Sequence, residues 1–315
     1  MVKIKRLSIV LGLTIIASYS IIEAKELDPS NSSQTAPLHN FEGGSGVYLT
    51  SLAYLAKPPK EGEIFGPPSI SQSMVLLDGV SRNVFAVTGN VLGSVELGYS
   101  YEIFDVGDWT DDIYNYTGMR ASDEISLHNF NIRARLIDEV DSDIPWMPTV
   151  TFGTHFKWNN DISKINKQLN GLGDVAGLDH DFGTEFTLMT SKTMKDLLPC
   201  PFILSAGLRN GDSIHTGLLG FAGERWTTVE ASLVMFLTDR LIFATEYRQS
   251  PDLVDEYNLG GIVLIEGESE WYDLALAYVI DEHLTIGIGY SYTDFGNNIL
   301  NQDSSVWALQ LKFNF

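Results

Sequence analysis

Along most of the chain apolar and polar residues alternate one for one, the period of a strand with two unlike faces. VELGYSYEI sets Val95, Leu97, Tyr99, Tyr101 and Ile103 against Glu96, Gly98, Ser100 and Glu102. HNFNIRARL sets His128, Phe130, Ile132, Ala134 and Leu136 against Asn129, Asn131, Arg133 and Arg135. TVTFGTHFKW sets Val150, Phe152, Phe156 and Trp158 against Thr149, Thr151, His155 and Lys157. HLTIGIGYSY sets Leu284, Ile286, Ile288, Tyr290 and Tyr292 against Thr285, Gly287, Gly289 and Ser291. Segments near 181–190, 200–209, 226–237, 240–249 and 271–280 follow the same rule with more exceptions. The alternation runs to the last residue: Trp307, Leu309, Leu311, Phe313 and Phe315 share one face of SSVWALQLKFNF.

Weaker strands near 46–55 and 80–91 bring the number to about twelve, with ten or fourteen as alternatives. The stretch 68–77 reads as a further strand or as loop. Short connections at 92–94, 237–240 and 280–283 alternate with long polar ones near 105–123, 159–180, 210–225 and 250–268. Short turns at one end and long loops at the other predict an all-β, up-and-down antiparallel barrel that crosses a membrane. The last strand is expected to close it on the first, near 46–55, so that no backbone group is left bare in lipid. One helical piece, DISKINKQL, falls within a long loop, with Asp161 as candidate N-cap.

In a membrane barrel the apolar face points outward. Aromatics near strand ends (Tyr99, Tyr101, Trp158, Tyr290, Tyr292) suit an interfacial girdle. The opposite face supplies the candidate lumen lining: Glu96, Glu102, Arg133, Arg135, His155, Lys157, Glu185, Arg209, Glu230, Glu246, Arg248, Asp273 and Lys312. Its six acids and six strong bases balance, as expected where low dielectric makes charges pair. Glu246 and Arg248, two apart on one face, are candidate partners. The chain as a whole carries −21. That argues against nucleic-acid binding and places the excess of acid in loops.

The N-terminus differs from the rest. Lys3, Lys5 and Arg6 precede an apolar run from Leu7 to Ala17, and ASYSIIEA leads to a candidate cleavage after Ala24: a secretory signal peptide over 1–24. Its net +2 leaves −23 on the remainder. Residues 25–40 read as a flexible periplasmic lead-in, and 41–315 as the barrel, entered tightly through FEGGSG. Cys200 stands alone, so no intrachain disulfide forms.

GFAGE (220–224), FLTDRLIFATEYRQSPD (236–252), TVTFGTHFKWNND (149–161) and the terminal Phe315 resemble the domain of unknown function 3034 family of bacterial outer-membrane barrel proteins. The resemblance implies export to the outer membrane and a barrel fold, and supplies no activity. A terminal aromatic after an alternating strand also resembles the signal that barrel proteins present to the barrel assembly machinery, which implies that Phe315 serves insertion.

The candidate chemistry is sparse. Acidic groups (Asp108, Asp111 and Asp112; Asp138, Glu139, Asp141 and Asp143; Asp179, His180 and Asp181) lack the spacing of a calcium loop and read as solvated loops. No metal or other cofactor is expected. Ser126 and His128 share a strand face, by parity the lipid side, and are weak candidates for a lipid hydrolase. Such chemistry needs a bonded Ser–His pair with an orienting third group. The expected partners are outer-membrane lipid and small solutes. The leading expectation is a passive porin-like channel with a charged lumen, the small Gly287, Gly289 and Ser291 favouring an opening. A lipid hydrolase and a plugged structural or adhesive barrel with acidic binding loops are the alternatives.

Overall fold

A computed structural model describes residues 36–77, 80–107, 110–111, 114–115, 118–171, 180–250, 257–259, 262–265, 270–292 and 305–315. The leader 1–24, residues 25–35 of the lead-in, and Asp108, Asp112 and Asp179 lie outside the described residues.

Twelve antiparallel strands close into one barrel. They are β1 Ser69–Leu77, β2 Val80–Val91, β3 Val95–Asp105, β4 Glu124–Ile137, β5 Thr149–Asn159, β6 Phe182–Met194, β7 Phe202–Ser213, β8 Phe221–Phe236, β9 Leu241–Arg248, β10 Trp271–Val279, β11 Leu284–Tyr292 and β12 Ser305–Asn314. Each pairs with its chain neighbours, and β12 closes on β1 with Trp307 opposite Leu76 and Asn314 opposite Ser69. The closing strand is therefore 69–77, and 46–55 is no part of the wall. The expected pairing partner of the last strand was misplaced by some twenty residues, because 46–55 carries the apolar content of a strand without its polar face.

The alternation becomes the wall's two faces. Phe85, Phe152, Leu204, Leu274, Ile288 and Trp307 stand outward, each about half exposed. An apolar band of this kind is the exterior of a transmembrane barrel. His128 lies in its aromatic rim, stacked on Trp158 at 5.1 Å and beside Tyr101 at 4.7 Å.

One end carries the connections 92–94, 138–148, 195–201, 237–240 and 280–283, and is called the turn end; the other is the loop end. Two loop-end features differ from expectation. The β7–β8 connection shrinks to 214–220, because both strands run further than their hydrophobic pattern. The short helix α1, Ile162–Gln168, forms as expected with Asp161 at its N-cap position, but the Asp161 side chain makes no capping bond. Its carboxylate accepts from the Ser126 backbone N–H at 2.9 Å and hydroxyl at 2.7 Å instead.

Candidate functional site

Every residue from 36 to 56 is buried, and the barrel interior is where they lie. The segment enters at the turn end, where the Lys312 ammonium donates to the Ala36 carbonyl at 2.6 Å. It rises to an apex near Glu42 and Tyr48–Thr50 and returns to the turn end. There the Ala56 N–H donates to Glu96 at 2.6 Å and the Tyr54 hydroxyl donates to Glu139. Residues 36–40, expected in a flexible lead-in, thus belong to a lumenal plug. FEGGSG makes no strand entry. Gly43, at φ +79°, turns the plug, and a Cβ there would sit 2.7 Å from the Tyr99 carbonyl. Only glycine meets both demands.

The plug's backbone makes little regular structure of its own: three residue pairs are bridged, Leu38 to Gly46, His39 to Ser45 and Gly46 to Ser51, and turn-type bonds such as Asn40 N–H to Gly44 and Phe41 N–H to Tyr48 leave many of its polar groups to others. Irregular backbone at membrane depth needs partners from surrounding protein. The wall provides them. Glu246 accepts from the N–H groups of Tyr48 (2.8 Å), Leu49 (3.0 Å) and Thr50 (2.7 Å) and from the Thr50 hydroxyl (2.7 Å). Gln310 donates to the His39 carbonyl and accepts from its N–H, at 2.8 and 2.9 Å. Asn129 and Asn131 donate to the Glu42 carbonyl, Thr88 to that of Gly43, and Arg133 to those of Ser45 and Leu52.

The wall has two unlike halves. Across β3–β8 it is ionic. Glu42 reaches from the plug to Lys157 at 2.7 Å, Arg209 at 2.8 Å and Arg248 at 3.4 Å. Glu185 meets Lys157 at 2.8 Å and also Arg209, Glu230 lies 3.4 Å from Arg209, and Arg133 meets Glu96 at 2.6 Å. The other half, across β9–β12 and β1–β2, carries an apolar patch between its polar groups Glu246, Arg248, Asp273, Gln310 and Lys312. Val75, Val84, Ile242, Ala244, Ala275, Ala277, Val306 and Ala308 pack against Leu38, Val47, Tyr48, Leu49 and Leu52 of the plug. Gly287 and Gly289 do not leave an opening. A Cβ at Gly287 would fall 2.8 Å from Leu38, and one at Gly289 2.8 Å from the Tyr48 ring.

Of the candidate lining residues, Glu96, Glu102, Arg133, His155, Lys157, Glu185, Arg209, Glu230, Glu246, Arg248, Asp273 and Lys312 are buried in the interior. Arg135 is displaced. A register shift after it at the β4–β5 turn end leaves it at the rim, 2.7 Å from Asp138. Glu246 and Arg248 do not pair with each other: the first holds plug N–H groups and the second faces Glu42. Asp273 sits directly across from Glu246 on β10. Sequence reasoning missed Arg82, the partner of Glu102, and Glu42. Arg82 lies on a strand whose inward set mixes Arg, Val, Ala, Thr and Asn. Glu42 carried a detectable signal, as the lone acid in an otherwise uncharged stretch from Leu38 to Ala56.

From the loop end the β7–β8 connection folds inward over the plug. Lys157 donates to the Thr216 carbonyl at 3.2 Å, and Asn159 to those of Gly217 and Leu218 at 3.0 and 2.8 Å. Leu218 packs on Leu127 and Phe221. A small vestibule remains between this cap and the wall, lined among others by Arg209, Arg248, Thr228, Trp226, Gln249 and Trp271.

Ser126 and His128 are not bonded to each other among the described contacts. The Ser126 hydroxyl is spent on Asp161. The His128 ring nitrogens meet the Tyr99 hydroxyl at 2.7 Å and the Asn160 amide at 2.9 Å. Among the described residues no cluster of three metal-ligating side chains occurs.

A family model described as "Protein of unknown function (DUF3034)" matches residues 35–312. No curated protein matches. Similar solved structures include the KdgM porin in complex with disordered oligogalacturonate, at 8% identity over 78% of this chain and 99% of that one, with a TM-score of 0.45. The NanC porin, at 9% identity, covers 79% of this chain and 98% of its own, with a TM-score of 0.45. The outer membrane protein Omp33 of Acinetobacter baumannii, also at 9%, covers 80% and 99%, with a TM-score of 0.42. Likeness at this level is one of barrel architecture and carries no functional reading.

Proposed function

The chain belongs to the DUF3034 family of proteins of unknown function, and we propose that it is an outer-membrane barrel held shut by its own N-terminal segment. One observation carries this: residues 36–56 are buried throughout, and side chains from most of the wall bond their backbone. An open passive channel needs a wall that tolerates water all the way round. Here the wall carries an inward apolar patch matched by plug side chains, so an empty lumen would expose that surface at a cost. Solute passage, in this reading, requires the plug to move.

The outward apolar band, the aromatic rim and the end-to-end asymmetry of the connections support a lipid surrounding. Phe315, outward and half exposed with its ring 5.0 Å from that of Phe313, is available to assembly machinery at the turn end. The lipid-hydrolase alternative gains nothing from Ser126 and His128, whose hydrogen bonds go to other groups.

Planar-bilayer recording of the full chain, folded as judged by heat-modifiable gel migration, tests the proposal. Closed traces with at most rare openings are expected. A steady ohmic pore in every insertion overturns it.

A further inference from the structure

Above the plug the vestibule has a chemistry that closing the barrel does not explain. We propose that it binds a small organic carboxylate with a flat face, the carboxylate on the Arg248 guanidinium and the flat face on the Trp226 indole. This goes beyond the closed-barrel reading and can fail without it.

Three observations meet here. Glu42, reaching from the plug, already shows that the cation cluster accepts a carboxylate. Yet Arg248, whose guanidinium lies 5.9 Å from the Trp271 ring centroid, is loosely hydrogen-bonded. Among the described residues its nitrogens reach Glu42 at 3.4 Å and the Leu49 carbonyl at 3.3 Å, against about 2.7–2.9 Å for a well-made charged bond. The neighbouring Arg209, almost wholly buried, has an Nε with no hydrogen-bond partner among the described residues. The third observation is Trp226. Two and four residues before the inward Thr228 and Glu230 on β8, it stands on the lumen side, yet it is 48% exposed. An indole facing the mouth has no lipid to meet and offers a stacking surface beside two guanidinium groups.

Charge decides how a ligand must enter. Lys157, Arg209 and Arg248 are balanced by Glu42, Glu185 and Glu230. An arriving anion therefore meets no net positive field and has to replace Glu42 at Arg248. The ligand and the plug's own carboxylate compete for one group, so the internal competitor sets the affinity.

Benzoate is the probe, with benzyl alcohol as its neutral counterpart and sulfate as an anion without a flat face. The full chain, folded in detergent, is titrated by tryptophan fluorescence. A saturable change with benzoate is expected, weak or absent with the other two. Glu42→Gln should tighten benzoate binding about tenfold, the worth of one charged hydrogen-bond competitor. Trp226→Leu should abolish the saturable change while heat-modifiable migration stays normal, and Arg248→Gln should weaken binding at least tenfold. No saturable response to benzoate overturns the proposal. An equal response to benzyl alcohol overturns the arginine's role, equal affinity for sulfate overturns the indole's, and unchanged affinity in Glu42→Gln overturns the competition. None of these results bears on whether the barrel conducts.

Discussion

Glu246 is the wall group on which the plug's apex turns, and replacing it with glutamine separates charge from shape. In the native barrel its two oxygens accept from three consecutive backbone N–H groups and one hydroxyl, all between 2.7 and 3.1 Å. The amide keeps one acceptor oxygen and turns an NH2 group towards donors, losing at least two charge-assisted bonds. At about 1.5–3 kcal/mol each, the loss is roughly 3–6 kcal/mol. A loss at the lower end, about 3 kcal/mol, raises the population of plug-displaced molecules about a hundredfold. The assay is maleimide labelling of Ser51→Cys in a Cys200→Ser background. Ser51 is fully buried within the plug, so labelling reads plug opening. Labelling about a hundredfold faster in Glu246→Gln is expected. An unchanged rate, in barrels that migrate as folded, would refute the role given to Glu246.

Three further outcomes follow from the packing. Gly287→Val puts carbon where Leu38 and the Tyr48 hydroxyl lie, at 2.8 and 2.9 Å from the new Cβ, and should unseat the plug by about 1–3 kcal/mol, read by the same labelling. Arg133→Gln strands Glu96 and two plug carbonyls and should lower unfolding stability in urea by about 3–5 kcal/mol, the usual cost of breaking a buried pair. Ser126→Ala and His128→Ala should each leave phospholipid hydrolysis by the purified barrel at its wild-type level, measured by fatty-acid release. A specific loss in both would revive the hydrolase reading.

The wall was legible because a barrel in lipid imposes the period-two rule that a sequence displays directly. β3, β4, β5, β11 and β12 each declare both faces. The plug was not, for a physical reason. A segment enclosed on all sides has no solvent face and no lipid face, so nothing forces its residues to alternate. VYLTSLAYLA, 47–56, has apolar residues at both parities, and its strand-like composition drew it into the wall. The missing polar face, followed by the proline pairs Pro58–Pro59 and Pro67–Pro68, is the mark that separates it from β1. The balanced interior charge was visible, but not whom it serves. Pairing was expected along the wall, as for Glu246 with Arg248, whereas Glu246 holds plug N–H groups and Arg248 meets Glu42, far away in sequence. Arg135 escaped because a register shift at a strand end leaves no trace in the alternation.

Residues 36–56 are what closes the barrel in this structure. The most direct test of their role is single-channel recording of the chain lacking these residues, beside the full chain, both folded by heat-modifiable migration. Stepwise conductance is expected in the deleted form and closed traces in the intact one. A folded deleted barrel that stays silent, or an intact one that conducts equally, would contradict that role.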